Sequence, residues 1–179
     1  MKVLFLDFDG VLNSCRYMRE NWRRFEGSVL HRVSDAIDRA AVARLNQVVE
    51  RTGAKVVISS SWRKSVTLSS LRRLLRVTGF CGEVIGSTPI MKRDQIDVLV
   101  TFGAGPLASV EERRTLRHVD RSHEIQRWLT EHPEVTRIAI VDDDTDMANL
   151  YDRLVLTDCE DGLQDEHVEA LVALLSESR

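Results

Sequence analysis

Lysine is scarce in this sequence of 179 residues: it occurs only at Lys2, Lys55, Lys64 and Lys92, which leaves arginine to carry most of the positive charge. Cysteine is scarcer still. Cys15, Cys81 and Cys159 are odd in number and show no CxxC spacing, which argues against a disulfide framework or a zinc knuckle and predicts a reduced, cytoplasmic chain. The five histidines form no HExxH or HxxxH pair, which weakens any zinc-enzyme reading. Proline and glycine, at 3 and 9 residues, are few, and there are no internal repeats or low-complexity tracts. No apolar run approaches the length of a membrane span. The N-terminal Val-Leu-Phe-Leu after Lys2 is cut by Asp7 and Asp9, too early for the apolar region of a signal peptide. A formal net charge of -3 argues against nonspecific coating of nucleic acid, while leaving room for a local basic patch. The length suits a single domain, 1–179, with a sizeable core.

What is present alternates. Val3 to Phe8 is a continuous apolar run ending in an acid, the pattern of a central strand buried on both faces of a parallel sheet. The design recurs at Lys55 to Ser59 and Arg137 to Val141, and more weakly at Glu83 to Gly86 and Arg153 to Thr157. Between them lie stretches of helical period. Asp35 to Arg51 aligns Ile37, Ala41, Leu45 and Val48; Val66 to Val77 aligns Leu68, Leu71, Leu74 and Leu75. Ser122 to Glu131 aligns Ile125, Trp128 and Leu129, and Asp165 to Leu175 aligns Val168, Leu171 and Leu175. Alternating strands and helices predict a doubly wound α/β sandwich around a mainly parallel sheet. Two stretches break the alternation, at about 13–34 and 88–120, and read as excursions from the sheet rather than domains.

In such folds ligands collect beyond the carboxyl ends of the strands. The first strand ends in Asp7-Phe8-Asp9-Gly10-Val11, where an extended chain would put both acids on one side and Gly10 permits a sharp turn. Two carboxylates without an adjacent cation call for a metal or a shared proton. The second strand ends in Ser59-Ser60-Ser61, whose hydroxyls and backbone N–H groups suit phosphate oxygens. The third ends in Asp142-Asp143-Asp144, with Asp146 following. Each piece has an ordinary reading as a turn, a cap or a solvated helix start. Three such pieces at the ends of three apolar runs, delivering acid, hydroxyl and acid to one sheet edge, favour a catalytic site.

These motifs resemble those of the haloacid dehalogenase (HAD) superfamily. Asp7-Phe8-Asp9-Gly10-Val11 is similar to its first motif, Ser59/Ser60 to its second, and Asp142-Asp143 to its fourth, over roughly residues 1–175. More narrowly, FLDFDGVLN, SSSWR, RSHEIQRWL and VDDD resemble the HAD domains associated with RNA-repair proteins and their phage-borne relatives. The two excursions, of only about twenty and about thirty residues, predict a small or absent cap. The resemblance implies a phosphatase in which Asp7 is the nucleophile and Asp9 the general acid and base. It implies Mg²⁺ held by Asp7, the backbone carbonyl of Asp9 and Asp143, with Asp142 secondary. Ser60 or Ser59 would bind a phosphoryl oxygen. Arg121 would supply the cation of the third motif, with Lys92 its rival, and Asn13, Trp62 and Arg63 would line the substrate entrance.

The expected substrate is a phosphomonoester, including nucleic acid ends or nucleotides. The 13–34 stretch interleaves Arg16, Arg19, Arg23, Arg24 and Arg32 with Tyr17, Trp22 and Phe25, a combination used by single-strand grooves and also by packed flaps. Alternatives are a small-metabolite phosphatase whose 88–120 segment closes over the site, and a non-catalytic phosphate-binding or signalling domain. The last is disfavoured because the paired acids follow the first strand and no lysine comes after Lys92.

Overall fold

The computed structural model describes residues 1–21, 34–91 and 121–176. Among them are strands β1 (Lys2–Leu6), β2 (Lys55–Ile58), β3 (Val84–Ser87), β4 (Arg137–Asp142) and β5 (Leu154–Leu156). All pair in parallel, in the order β3-β2-β1-β4-β5. The helices are α1 (Cys15–Asn21), α2 (Arg39–Thr52), α3 (Leu68–Val77), α4 (Arg121–Thr130) and α5 (Asp165–Ser176), with 3₁₀ turns at Ser61–Lys64 and Ala148–Arg153. Among the described residues no helix is long and apolar enough to cross a membrane.

The central strand is apolar throughout because both its faces are covered. Leu4 and Leu6 join Val56, Ile58, Ala139 and Val141 on one face, against α2, α3 and α5 through Leu45, Leu71 and Leu171. Val3 and Phe5 join Val57 and Ile140 on the other, against Ile125 and Trp128 of α4. Phe5 meets Trp128 edge-on, ring centroids 5.5 Å apart at 85°, a pairing worth about 1 kcal/mol beyond its buried area. The result is the α/β sandwich expected from the sequence, with helices on both faces.

Helix limits follow the caps. The period from Asp35 predicts an earlier start for α2. The helix begins at Arg39, where Asp38 accepts the Ala40 N–H at 2.8 Å, and it stops where Gly53, at φ 68°, returns its N–H to the Val49 carbonyl. Likewise α3 starts at Leu68 rather than Val66 because Thr67 caps it through the Ser70 N–H. The first turn of the 13–34 excursion is helical, as α1. Residues 22–33 and 92–120 lie outside the described residues, and with them Trp22, Arg23, Arg24, Phe25, Arg32 and Lys92.

The chain winds outward from β1 to β2 and β3, then crosses to β4 and β5 on the opposite side. The direction of winding therefore reverses at the carboxyl ends of β1 and β4, the position at which open parallel sheets bind their ligands. The register Leu6↔Val141 brings the next residues, Asp7 and Asp142, side by side at that point.

Candidate active site

Asp7 stands just past the end of β1 and is 3% exposed. The sheet still holds its backbone, since its N–H reaches the Val141 carbonyl at 3.1 Å. Its Oδ1 accepts the Phe8 N–H at 2.6 Å, which fixes the carboxylate. Asp142 closes β4 fully buried, its Oδ1 accepting the Asp144 N–H at 3.0 Å. Oxygens of Asp7, Asp142 and Asp143 lie within 4.8 Å of one another.

Three carboxylates this close repel unless a positive charge or a proton joins them. Arg121, the first residue of α4, supplies part of the compensation. Its Nη1 donates to Asp7 Oδ2 and, at 2.6 Å, to Asp142 Oδ2. Asp146 orients the helix that carries it, accepting the Arg121 backbone N–H at 3.2 Å. Burial lowers the Arg121 pKa, but Asp7 and Asp142 outweigh that and leave it above its ordinary value. The compensation of the acids is incomplete. Burial first, and the Asp7 charge second, push the Asp142 carboxyl up to about 8, with Arg121 opposing. Asp143 is raised for the same two reasons. A group of acids held this way has a latent affinity for a divalent cation.

The loop after Asp7 departs from the extended geometry read from the sequence. The Phe8 carbonyl accepts the N–H groups of Val11, Leu12 and Asn13 at 3.2, 2.8 and 3.2 Å, so the chain folds back at once. Gly10 sits at φ 65°, and a Cβ there would fall 2.1 Å from Asp143 Oδ2. Only glycine meets both demands. The buried Thr157 hydroxyl fastens the turn, donating to the Gly10 carbonyl at 2.9 Å. As a result Asp9 does not share the direction of Asp7. Its carboxylate lies outside the three-acid group, accepting Asn13 Nδ2 at 2.7 Å on Oδ1 and Trp62 Nε1 at 2.9 Å on Oδ2. Asn13 and Trp62, read from the sequence as substrate-lining, are thus engaged with Asp9. Trp62 also meets Phe8 edge-on at 5.3 Å.

The two serines separate by environment. Ser60 caps the 3₁₀ turn, its hydroxyl accepting the Trp62 N–H at 3.4 Å. Ser59 is level with Asp7, its N–H on the Leu6 carbonyl, and its buried hydroxyl has no partner among the described residues.

Arg63 corrects the sequence reading. Rather than lining an entrance it is 4% exposed along its side chain, and it donates to the carbonyls of Ser59 and Ser60 at 2.6 Å each and of Thr88 at 3.1 Å. It also pairs with Glu124 of α4. Burial pulls its pKa below the usual value, with Glu124 opposing. Glu124 was not legible as a site residue, because an acid in a first helical turn reads as a solvated partner of the helix dipole. Of the basic excursion, Arg16 pairs with Asp161 at 2.5 Å, Arg19 pairs with Glu160, and Tyr17 donates to the Asp35 carbonyl at 3.0 Å.

The arrangement joins a held carboxylate, a bridging guanidinium, two further acids and a fourth acid held apart, all at the switch point of the sheet. Neither a comparison with curated proteins nor one with solved structures gives a significant match. The family model described as the HAD domain in Swiss Army Knife RNA repair proteins matches residues 3–168, and the chain belongs to this HAD family of hydrolases.

Proposed function

We propose that the chain is a magnesium-dependent phosphomonoesterase that works through an aspartyl-phosphate on Asp7. The observation that carries this reading is the convergence of Asp7, Asp142 and Asp143 within 4.8 Å, with Arg121 bridging the first two. A carboxylate held at a fixed position is a nucleophile that splits one difficult displacement into two easier ones. The buried backbone N–H of Phe8 and the Arg121 guanidinium fix its aim.

The residues fit a magnesium ion. The acids present oxygen donors, burial and then the Asp7 charge raise the Asp142 carboxyl in a way a cation would relieve, and Gly10 leaves Asp143 the room a side chain would fill. Asp7 and Asp143, with Asp142 beside them and the Asp9 carbonyl as the resemblance implies, would hold it. Bound there, the ion would neutralise phosphoryl charge and orient the ester. In the first step Asp7 attacks phosphorus while Asp9 gives its proton to the leaving oxygen. In the second Asp9 takes a proton from water, whose oxygen displaces Asp7. Ser59, whose hydroxyl lacks a partner among the described residues, or Ser60, together with Arg121, contacts the phosphoryl oxygens. Positioning and charge compensation supply most of the rate.

For substrate we propose phosphorylated nucleic acid ends. Two things support this: the matched family is described for RNA repair proteins, and the sequence from Arg16 to Arg32 is rich in arginine and aromatics. We place the reaction in the cytoplasm, on the sparse cysteines. The test is magnesium-dependent phosphate release from end-phosphorylated oligonucleotides, mononucleotides and sugar phosphates, with Asp7→Asn as blank. Release from oligonucleotide ends supports the whole reading. Release confined to small esters keeps the phosphatase and removes the substrate. Full activity in Asp7→Asn would remove the nucleophile, and silence of the folded wild type would remove the phosphatase.

A further inference from the structure

The geometry points to Asn13 and Trp62 as positioning residues for proton transfer by Asp9, an inference that rests on the phosphatase reading above. Asp9 is exposed, and a carboxylate on an exposed loop ordinarily samples several rotamers. Here each oxygen accepts one neutral donor, Asn13 Nδ2 at 2.7 Å and Trp62 Nε1 at 2.9 Å. An indole carries a single N–H and no acceptor, so Trp62 spends its only hydrogen bond on Asp9.

Both donors are themselves held. The Asn13 backbone N–H reaches the Phe8 carbonyl at 3.2 Å, and its carbonyl accepts the Gly10 N–H at 3.2 Å. Trp62 is fixed by the turn that Ser60 caps and by its edge contact with Phe8. The clamp therefore joins the loop after β1 to the loop after β2. It keeps Asp9 out of the three-acid group, where it would be lost as a proton carrier. Each Asp9 oxygen retains a second lone pair, so the carboxyl can carry a proton without breaking either bond. As the Asp7–phosphorus bond forms and the ester P–O bond breaks, that proton passes to the leaving oxygen.

Leaving-group protonation matters in proportion to leaving-group basicity. Trp62→Phe keeps an aromatic ring against Phe8 and removes the donor; Asn13→Leu does the same for the amide at similar size. The experiment compares kcat/KM of both variants and wild type on a series running from acidic phenyl phosphates to an alkyl phosphate. The expected result is a loss of about tenfold or more on the alkyl ester, with little change on the most acidic phenol and in KM. An equal loss across the series, or none, would overturn the clamp. Wild type inactive on every ester would instead remove the phosphatase reading, so the two failures are distinct.

A separate observation concerns the thiols. Cys15 Sγ and Cys159 Sγ lie 3.0 Å apart across 144 residues of sequence, and both cysteines are exposed. The Cys15 N–H donates to the Cys159 carbonyl at 2.8 Å, which holds the two backbones at the close approach a disulfide needs. The Arg16 N–H to the Glu160 carbonyl, at 3.1 Å, and the Arg16–Asp161 ion pair secure the same junction. We infer that this pair is an oxidation site closed by a peroxide. One sulfur attacks a peroxide oxygen, giving a sulfenic acid and water; the other displaces the sulfenic oxygen as a second water and forms the S–S bond. The bridge would tie the start of α1 to the loop whose Leu163 N–H holds the Val11 carbonyl of the catalytic turn.

The test treats reduced protein with limiting hydrogen peroxide, alkylates free thiols and maps peptides by mass. The expected product links Cys15 to Cys159, leaves Cys81 alkylated, raises Tm reversibly with reductant, and is absent in Cys15→Ser. Cys15 and Cys159 both still alkylated after oxidation, or either one paired with Cys81, would overturn it.

Discussion

Arg63 and Glu124 form an ion pair almost closed to solvent, with side chains 4% and 8% exposed. It fastens the serine loop after β2 to α4, the helix whose first residue is Arg121. Removing one partner strands a buried charge, so Arg63→Met or Glu124→Leu alone costs about 3–5 kcal/mol of stability. Urea unfolding measures the loss. The double variant is less destabilised than the sum of the two, although the carbonyls that Arg63 serves keep it below wild type.

Gly10→Ala places a methyl group where Asp143 stands, at a positive φ that alanine resists. Magnesium should bind about 10–100-fold more weakly, the range seen when a metal ligand loses its support. Titration calorimetry on the folded variant reads this directly. Unchanged affinity would show that Asp143 is not a ligand.

The metal-free protein should lose stability as pH rises. Burial, and next the Asp7 charge, raise the Asp142 carboxyl from the ordinary 3.8 of an unfolded chain to about 8 in the fold. Below 3.8 both states hold the proton and the contribution is fully present; between the two values only the fold holds it, and the advantage is lost as pH passes through about 8. Magnesium needs the ionised acids, so it should raise Tm more at about pH 8 than at about pH 5. In Asp142→Asn the metal-free slope of Tm with pH should flatten. An unaltered slope would locate the proton elsewhere.

If the arginine-rich excursion meets single-stranded nucleic acid, replacing Arg23 and Arg24 by glutamine weakens binding and flattens its salt dependence by about 0.7 in log–log slope per lost contact. Fluorescence anisotropy of a labelled oligonucleotide across a salt series gives the slope. An unchanged slope would assign these arginines to other work.

Much of this is legible in the sequence. Val3 to Leu6 must be buried on both faces because it has no polar residue to turn outward, and it became the central strand. Asp7, the serines and Asp142-Asp143 could be placed at one sheet edge because strand ends in a parallel sheet share an edge. The turn at Gly10 was visible as a glycine, but not the reason for it, which is a carboxylate more than a hundred residues away. Arg63 misled for a similar reason. After a strand-end serine an arginine reads as a surface cation, and only the carbonyls of Ser59, Ser60 and Thr88 with Glu124 explain its burial.

By itself, then, the sequence determined the succession of elements along the chain: apolar runs, helical periods and the acids that close the strands, all consequences of local pattern and of water's exclusion from a two-sided sheet. Tertiary structure decided the directions. It set Asp7 toward Asp142 and Asp9 toward Trp62, because the Phe8 carbonyl gathers three N–H groups and ends the period of two. It placed Arg121 between two acids and Cys15 beside Cys159, contacts that no local spacing encodes because they close only when distant segments pack.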